Sequence, residues 1–393
     1  MPIIRILHAS DLHFALTPRL VSFVDRFSAG ISLKRAWKTV FSGGGTRAVR
    51  TWVKRTATYS THDPSMTLAL ADFLYQDYSD NHLVAGGTPI SAVVLTGDLA
   101  TTGSIDNLER ARDFLSDPPN TPPGAPPSPA ESLIKPGSGT LAYVLEHRDC
   151  KHPRCADQLR LCLLPGNHDR LELAHVDHDP GGTNFDSVFA NYWDAPILSA
   201  ASPLPNAAPD VAFGPYVKTW GLTSGSLHVE IIAADFNLLD KDHRKGSRLN
   251  KYAQGRVYRR AAPRHPDILS DLVTATESAQ LAHPDAFVLW ATHFPPRFPH
   301  ISRQMKLIDD AELVREANRL GVAAVLSGHT HEPVQYRSPG MDFDVLCAGT
   351  ATQHHSTLDH HLQIIEVSDD GAGVAVQINH YRFDDSLSAF IPV

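Results

Sequence analysis

The 393-residue chain is poor in cysteine and has no long apolar run. Its four cysteines are too few for a disulfide scaffold of this length, so we expect a reducing compartment. No stretch approaches the roughly 18 consecutive apolar residues of a membrane span. The N-terminus carries neither a basic leader nor a cleavage signal, and we therefore expect a cytoplasmic protein.

The chain also lacks an excess of one charge large enough to select a partner. Lysine plus arginine is 35 and aspartate plus glutamate is 43, which gives a formal net charge of −8. Hydrophobic residues make up 42%, enough for a sizeable core, which excludes disorder of the whole chain. Histidine is plentiful, with 22 residues. Because neutral imidazole is the commonest metal ligand in proteins, this number raises the question of a metal site.

Six short apolar runs each end in a polar cluster. They cover residues 3–7, 92–95, 159–164, 229–233, 286–290 and 322–326. Runs of this kind are typical of strands buried on both faces of a sheet. Helical patterns cover residues 66–75 and 267–281, and further strand patterns cover 342–347, 362–367 and 374–381. We predict one α/β domain over residues 1–393, with two sheets and no internal repeat.

Three stretches are predicted to be insertions, at residues 14–62, 115–157 and 241–260. Residues 19–55 carry nine Lys or Arg against one acid, and their apolar spacing predicts two amphipathic helices, a basic helical arm. The second insertion is rich in proline and is expected to be an extended surface loop. The third has eight Lys or Arg against Asp242. The near-neutral total therefore hides an acidic body with two basic segments.

Five of the predicted strands end in residues with metal-ligand chemistry. They are Asp11, His13, Asp98, Asn167, His293, His329 and His331. Open α/β sheets place active sites at such strand ends. This mixture of oxygen and imidazole donors suits Mn, Fe, Zn, Ni or Co better than Ca. Seven ligands exceed the need of one catalytic ion but fit two ions with a bridging carboxylate, a centre suited to in-line displacement at phosphorus.

The same residues form a motif set that resembles the calcineurin-like binuclear metallophosphoesterases. The motifs are Asp11-x-His13, Gly97-Asp98, Gly166-Asn167-His168-Asp169, His293-x-Pro295 and Gly328-His329-Thr330-His331. All five occur in the family order, and the resemblance spans residues 3 to about 350. It implies a two-sheet αββα sandwich, here with helical and loop insertions.

The resemblance also implies roles for individual residues. One transition-metal ion, divalent or trivalent, would be held by Asp11, His13 and His331. The other would be held by Asn167, His293 and His329, with Asp98 bridging the two. The catalytic residues would be His168, which assists the leaving group, and Asp169, which orients His168. The nucleophile would be a metal-bound hydroxide. Arg170 and Arg297 are candidate phosphate clamps because of their charge and forked geometry.

We expect a metal-dependent phosphodiesterase, with a nucleotide-type substrate favoured. Residues 291–296 and Gly255 look most like the bacterial cyclic-nucleotide and small-phosphodiester branch, although that branch is shorter. Residues 19–55 and 241–260 are expected to form basic walls that attract a polyanion, a nucleic acid or an anionic lipid. The alternative for 19–55 is packing on the domain or on a second subunit of a homo-oligomer. Three other functions are left open: a nuclease on single-stranded or damaged nucleic acid, a lipid-linked nucleotide pyrophosphatase, and a non-catalytic scaffold.

Overall fold

The computed structural model of the chain describes eleven stretches of the sequence. They are residues 1–14, 64–82, 87–115, 160–170, 183–190, 211–213, 216–237, 255–257, 267–299, 307–352 and 361–393. The predicted basic helical arm, the proline-rich loop and most of the basic segment 241–260 lie outside these stretches. Those predictions, and that of one domain over residues 1–393, therefore stay predictions.

Strands and helices alternate over the first six elements of the described chain, and its last six elements are all strands. In order they are β1 Ile3–Ala9, α1 Pro64–His82, β2 Ala92–Leu95, α2 Ile105–Leu115, β3 Arg160–Leu163, α3 Asn184–Val188, β4 Val211–Phe213, β5 Val217–Ser224, β6 Leu227–Ala234, β7 Gly255–Arg256, α4 Ile268–Ala282, β8 Phe287–Ala291, β9 Leu307–Ile308, α5 Asp310–Leu320, β10 Ala324–Ser327, β11 Val334–Tyr336, β12 Asp344–Cys347, β13 Leu362–Asp369, β14 Val374–Asp384 and β15 Ala389–Pro392. Within these residues no helix is long and apolar enough to cross a membrane.

Two large mixed sheets form the centre of the fold. The six-stranded sheet has the order β15-β14-β13-β1-β2-β3, and its strands β1, β2 and β3 are parallel. The seven-stranded sheet has the order β11-β12-β10-β8-β6-β5-β4, with β6, β8, β10 and β12 parallel. This arrangement confirms the predicted two-sheet α/β sandwich.

The hydrophobic core lies in two clusters. One joins the two sheets and includes Leu7 of β1 and Trp220 of β5, together with Phe114 of α2. The other lies between the seven-stranded sheet and helices α4 and α5, around Trp290 and Leu313. Each fully buried large apolar side chain stabilises the fold by about 1.5–3 kcal/mol, so these clusters hold the strand ends in place.

All six predicted strands that precede polar clusters are present, and local signals explain their bounds. Helix α4 begins after Asp267, whose side chain accepts a hydrogen bond from the Ser270 backbone N–H. Strand β10 starts two residues later than predicted, because Val322 still closes helix α5. Its N–H bonds to the Ala317 carbonyl, after Gly321 has turned the chain in a left-handed conformation with φ of 64°.

Candidate metal centre

The seven predicted ligands follow five different strands. Asp11 and His13 follow β1, Asp98 follows β2, Asn167 follows β3, His293 follows β8, and His329 and His331 follow β10. Three of these strands belong to the six-stranded sheet and two to the seven-stranded sheet. Since parallel strands present their carboxyl ends at one edge of a sheet, the packed sheets bring both edges to one place.

A first cluster contains Asp11, His13, Asp98 and His331, with one ligand atom of each within 4.8 Å of the others. Nε2 of His331 lies 3.2 Å from Oδ1 of Asp11. Nε2 of His13 lies 3.6 Å from the same oxygen and 3.9 Å from Oδ2 of Asp98. Two carboxylates and two imidazoles thus converge in a buried space.

A second cluster contains Asp98, His293 and His329, again within 4.8 Å. Nε2 of His293 lies 3.4 Å from Oδ2 of Asp98. The amide oxygen of Asn167 lies 2.9 Å from Nε2 of His293 and 2.9 Å from Nδ1 of His329. The structure therefore brings all seven predicted residues together, and Asp98 belongs to both clusters.

Buried atoms without hydrogen bonds test whether this donor set fits a metal ion. Within the described chain, such atoms include Asp11 Oδ1, Asp98 Oδ2 and His329 Nε2. Leaving a buried polar atom without a partner costs about 1–3 kcal/mol. Because these atoms occur together in a set of carboxylates and imidazoles, the residues present fit bound metal ions.

The charges of the two clusters also fit bound metal ions. Burial would raise the pKa of Asp98, but His293 and His168 outweigh it and lower that pKa, so the carboxylate stays ionised. Burial would lower the pKa of His293, yet Asp98 raises it to about 9. Burial, assisted by His293, lowers the pKa of His329 to about 3. Without a metal, the positive His293 imidazolium therefore faces the ionised Asp98 carboxylate at neutral pH.

The backbone is strained at most of the predicted ligand positions. Five have positive φ: Asp11 at 55°, His13 at 51°, Asp98 at 52°, His329 at 67° and His331 at 56°. Such a conformation costs a residue other than glycine about 1–3 kcal/mol, and it clusters at functional sites. Hydrogen bonds hold it here: Asp11 N–H donates to the Gly97 carbonyl at 3.0 Å, and His13 N–H to the Asp98 carbonyl at 2.9 Å.

A family comparison decides the class of protein. A sequence model described as calcineurin-like phosphoesterase matches residues 4–333. The chain belongs to the calcineurin-like phosphoesterase family. Together with the two His and Asp clusters, this membership identifies a metal-dependent phosphoester hydrolase. No curated protein sequence matches the chain.

Solved structures similar to this phosphoesterase have low sequence identity. GAP50, the anchor in the inner membrane complex of Plasmodium, is 10% identical with a TM-score of 0.45, over 97% of this chain and 85% of that one. A dimetal phosphatase from Danio rerio is 12% identical with a TM-score of 0.44, over 96% and 99%. A putative 5'-nucleotidase from Staphylococcus aureus is 12% identical with a TM-score of 0.43, over 98% of this chain and 55% of that one.

Two backbone carbonyls orient histidines of the phosphoesterase. Nδ1 of His293 lies 2.8 Å from the Thr96 carbonyl, and Nδ1 of His168 lies 2.8 Å from the Thr101 carbonyl. A carbonyl only accepts, so both Nδ1 atoms carry the proton, and Nε2 of each ring is the nitrogen left for chemistry. Sequence reasoning missed Thr96 and Thr101, because a backbone carbonyl leaves no signal in the residue type.

His168 lies beside the first cluster, and its ring centroid is 5.0 Å from that of His13. Its backbone N–H donates to Oδ1 of Asp98 at 2.8 Å. Burial lowers the pKa of His168 to about 4, although the Asp98 charge opposes this shift. The partner that orients its ring is the carbonyl of Thr101, whereas the sequence predicted Asp169.

Asp169 is fully buried and binds backbone instead. Its carboxylate accepts N–H donors from Leu99 at 3.1 Å, Ala100 at 2.8 Å and Gly166 at 2.8 Å. Burial, with the nearby Asp98 charge, raises its pKa to about 7. Asp169 therefore ties the loop after β2 to the loop after β3, and a catalytic role for it stays a prediction.

The two predicted phosphate clamps contact protein groups. Arg170 is 1% exposed and pairs with Asp235 and Asp186. Arg297 is half-buried, and its Nη1 donates to the Pro339 carbonyl at 2.7 Å. Substrate binding by these arginines stays a prediction. Asp235 was missed as a site-related residue, although it follows strand β6 as the ligands follow theirs.

Proposed function

We propose that this phosphoesterase hydrolyses a phosphodiester with two metal ions held by the seven clustered residues. The observation that carries the proposal is the position of Asp98, which belongs to both clusters. Its Oδ2 lies 3.9 Å from Nε2 of His13 and 3.4 Å from Nε2 of His293. A carboxylate oxygen between two sets of ligands is the arrangement that a bridged pair of ions needs.

The donor set divides between the two ions. One would be held by Asp11, His13 and His331, the other by Asn167, His293 and His329, and both by Asp98. Imidazole and carboxylate together favour Mn, Fe, Zn, Ni or Co, and we propose Mn as the first ion to test. When bound, such ions supply Lewis acidity, which polarises phosphoryl oxygens and activates water as the nucleophile.

His168 is proposed as the group that assists the leaving oxygen. The Thr101 carbonyl fixes its Nδ1, so Nε2 is the atom that meets the substrate. His168 is half-buried and the His331 side chain is 20% exposed, whereas the side chains of Asp11 and His13 are fully buried. The open side of the centre is therefore the side of His168. A bound phosphodiester anion favours protonation of Nε2, which then donates to the departing oxygen.

A nucleotide-type substrate is supported by the sequence and by chain connectivity. The basic segment 19–55 begins five residues after Phe14, which directly follows His13. Its positive charge would favour a polyanionic substrate. The expected cytoplasmic location and a homo-oligomer stay predictions.

The test is metal analysis combined with a substrate panel. Purified protein loaded with Mn²⁺ is assayed on an aryl phosphodiester, cyclic nucleotides, dinucleotides, single-stranded DNA and RNA, and lipid nucleotides, with Asp98→Asn as the control. We expect two bound ions and hydrolysis of a nucleotide-type diester by the wild type, and loss of both in the variant. A wild type without bound metal and without activity would refute the proposal.

The same panel separates the alternative functions. A nuclease should lose affinity steeply between roughly 50 and 200 mM salt, because binding releases counterions from the phosphate backbone. A lipid-linked pyrophosphatase should bind anionic liposomes through residues 19–55. Deletion of 19–55 should spare the aryl ester and depress turnover of the true substrate. Equal loss on both substrates would instead make this segment structural.

A further inference from the structure

A buried ion pair lies next to the turn that carries Asn167 and His168. Arg170 is 1% exposed and Asp235 is fully buried. Nε and Nη2 of Arg170 both donate to Oδ2 of Asp235, at 3.0 and 2.7 Å. The third nitrogen, Nη1, lies 2.8 Å from Oδ2 of Asp186. All three guanidinium nitrogens thus meet carboxylates of the protein.

The second oxygen of Asp235 is linked through Asn237 to the other end of the same turn. Oδ1 accepts from the backbone N–H of Asn237 at 2.9 Å and from its Nδ2 at 2.8 Å. That Nδ2 also donates to the Pro165 carbonyl at 2.6 Å. Asp235 follows β6 of the seven-stranded sheet, whereas the turn follows β3 of the six-stranded sheet. One carboxylate therefore fastens both ends of the turn to the opposite sheet.

The turn has little room to move without disturbing the centre. A Cβ atom at Gly166 would overlap Oδ1 of Asp98, so the two loops are in close contact there. His168 N–H also donates to that oxygen at 2.8 Å. The Asn167 amide oxygen lies 2.9 Å from a nitrogen of His293. A displacement of this turn would therefore move Asn167, His168 and Gly166 together, and with them a proposed metal ligand, the proposed acid and the close contact with Asp98.

We propose that Arg170 and Asp235 are positioning residues that set the place of Asn167 and His168 in the metal centre. Arginine suits this role because its planar fork meets two carboxylates at fixed angles, which a lysine ammonium cannot do. A charge pair desolvated between two sheets holds its partners rigidly, since neither side chain can turn to water. The inference rests on the proposed function, because it concerns ligands of the same centre.

The test compares Arg170→Lys and Asp235→Asn with a matched control, Arg5→Lys. Arg5 also bridges two carboxylates, those of Asp77 and Glu366. It lies near the start of β1, away from the carboxyl ends of the strands that the predicted ligands follow. Mn²⁺ affinity is measured by titration calorimetry, together with Tm and with kcat and KM on an aryl phosphodiester. We expect affinity for one ion and kcat to fall about 10–100-fold in the two site variants. KM should change less than about threefold, and Arg5→Lys should lower Tm alone.

Three results would overturn the positioning role. Wild-type metal affinity and kcat in a folded Arg170→Lys would leave the pair as structural support. A raised KM with unchanged kcat and metal affinity would make Arg170 a substrate clamp. If the single variants do not fold, the apolar double variant Arg170→Met/Asp235→Leu removes the buried charges, and wild-type Mn²⁺ affinity in this variant would be the third result against the role. A wild type that binds no Mn²⁺ would refute the proposed function instead.

Discussion

Nε2 of His13 lies 3.3 Å from Nε2 of His331. The carboxylate oxygen Oδ1 of Asp11 is 3.6 Å from the first nitrogen and 3.2 Å from the second. Three ligand atoms thus point to one small region, where a single proton can satisfy only one pair of them. A bound cation would satisfy all three atoms at once and would give the centre a direct influence on folding stability.

We predict that metal removal lowers Tm and that added Mn²⁺ restores it. A ligand that binds only the folded state at 100 times its Kd stabilises by about 2.7 kcal/mol per site. Calorimetry of the wild type in chelator and then in excess Mn²⁺ measures this shift. In Asp98→Asn, which lacks the shared carboxylate, the same addition should move Tm far less. An unchanged wild-type Tm would count against a metal at this centre.

Replacement of His168 by alanine should slow hydrolysis without removing metal. General acid assistance contributes about 10²–10⁴-fold, so kcat should fall by this factor on an alkyl diester, whose leaving oxygen needs a proton. On a nitrophenyl diester the loss should be much smaller, because that leaving group departs as an anion. Kinetics on both esters, with metal content as the control, measure the difference. Equal losses on the two esters would exclude proton donation by His168.

Gly328→Ala should disrupt the first ligand cluster. A Cβ at this position would overlap Oγ of Ser10 and come 2.8 Å from Oδ2 of Asp11. The expected result is weaker Mn²⁺ binding and lower kcat. The matched control is Gly321→Ala at the end of α5, where φ is 64° and a Cβ would meet nothing within 4 Å. It should cost about 1 kcal/mol of stability and leave Mn²⁺ affinity unchanged. Equal affinity in both variants would contradict this prediction.

Stability should fall as the pH drops below about 6.5, partly because of His8. This residue is fully buried in β1, where Gln363 Nε2 donates to its Nδ1 at 2.7 Å and Thr96 Oγ1 lies 3.0 Å from its Nε2. Burial lowers the pKa of His8 to about 3, against a partial opposing effect of Asp11. Below pH 6.5 the imidazole of His8 is therefore protonated in the unfolded chain and neutral in the folded chain. This difference lowers the free energy of unfolding by up to about 1.4 kcal/mol per pH unit.

The variant His8→Gln removes this titration and keeps polar atoms at the site. Urea unfolding in chelator at about pH 7.0 and 5.5 should show a smaller loss of stability in the variant, by about 1 kcal/mol. Chelator keeps metal occupancy from varying with pH. If both proteins lose the same stability between these two pH values, His8 does not contribute to the slope.

The sequence predicted the strands and the convergence of the ligands for a definite physical reason. A run such as residues 92–95 is apolar on both faces, so it had to be a buried strand, and Asp98 had to lie at its end. The αββα layers followed from the motif resemblance. The ligand roles of these residues remain a proposal.

Other parts of the site have no local signal in the sequence. Arg170 directly follows the motif Gly166-Asn167-His168-Asp169, a position that suits a phosphate-binding arginine. Only the tertiary structure shows that it pairs with Asp235, which is 65 residues away in the sequence. The carbonyls of Thr96 and Thr101 orient imidazoles through atoms that every residue has. Long-range pairing and backbone contacts therefore required the structure.

The left-handed backbone at five ligand positions has a consequence for how such a protein can change over evolutionary time. Glycine at any of them would remove the strain, about 1–3 kcal/mol each, and the ligand with it. In the metal-free chain, relief of this strain offsets part of the stability that the lost side-chain contacts contributed. Substitution of one of these residues therefore costs less stability than its buried contacts alone would suggest, so the sandwich fold can persist in a chain that has lost hydrolysis. Aspartate and histidine at all five positions thus keep a backbone strain that folding stability alone does not require.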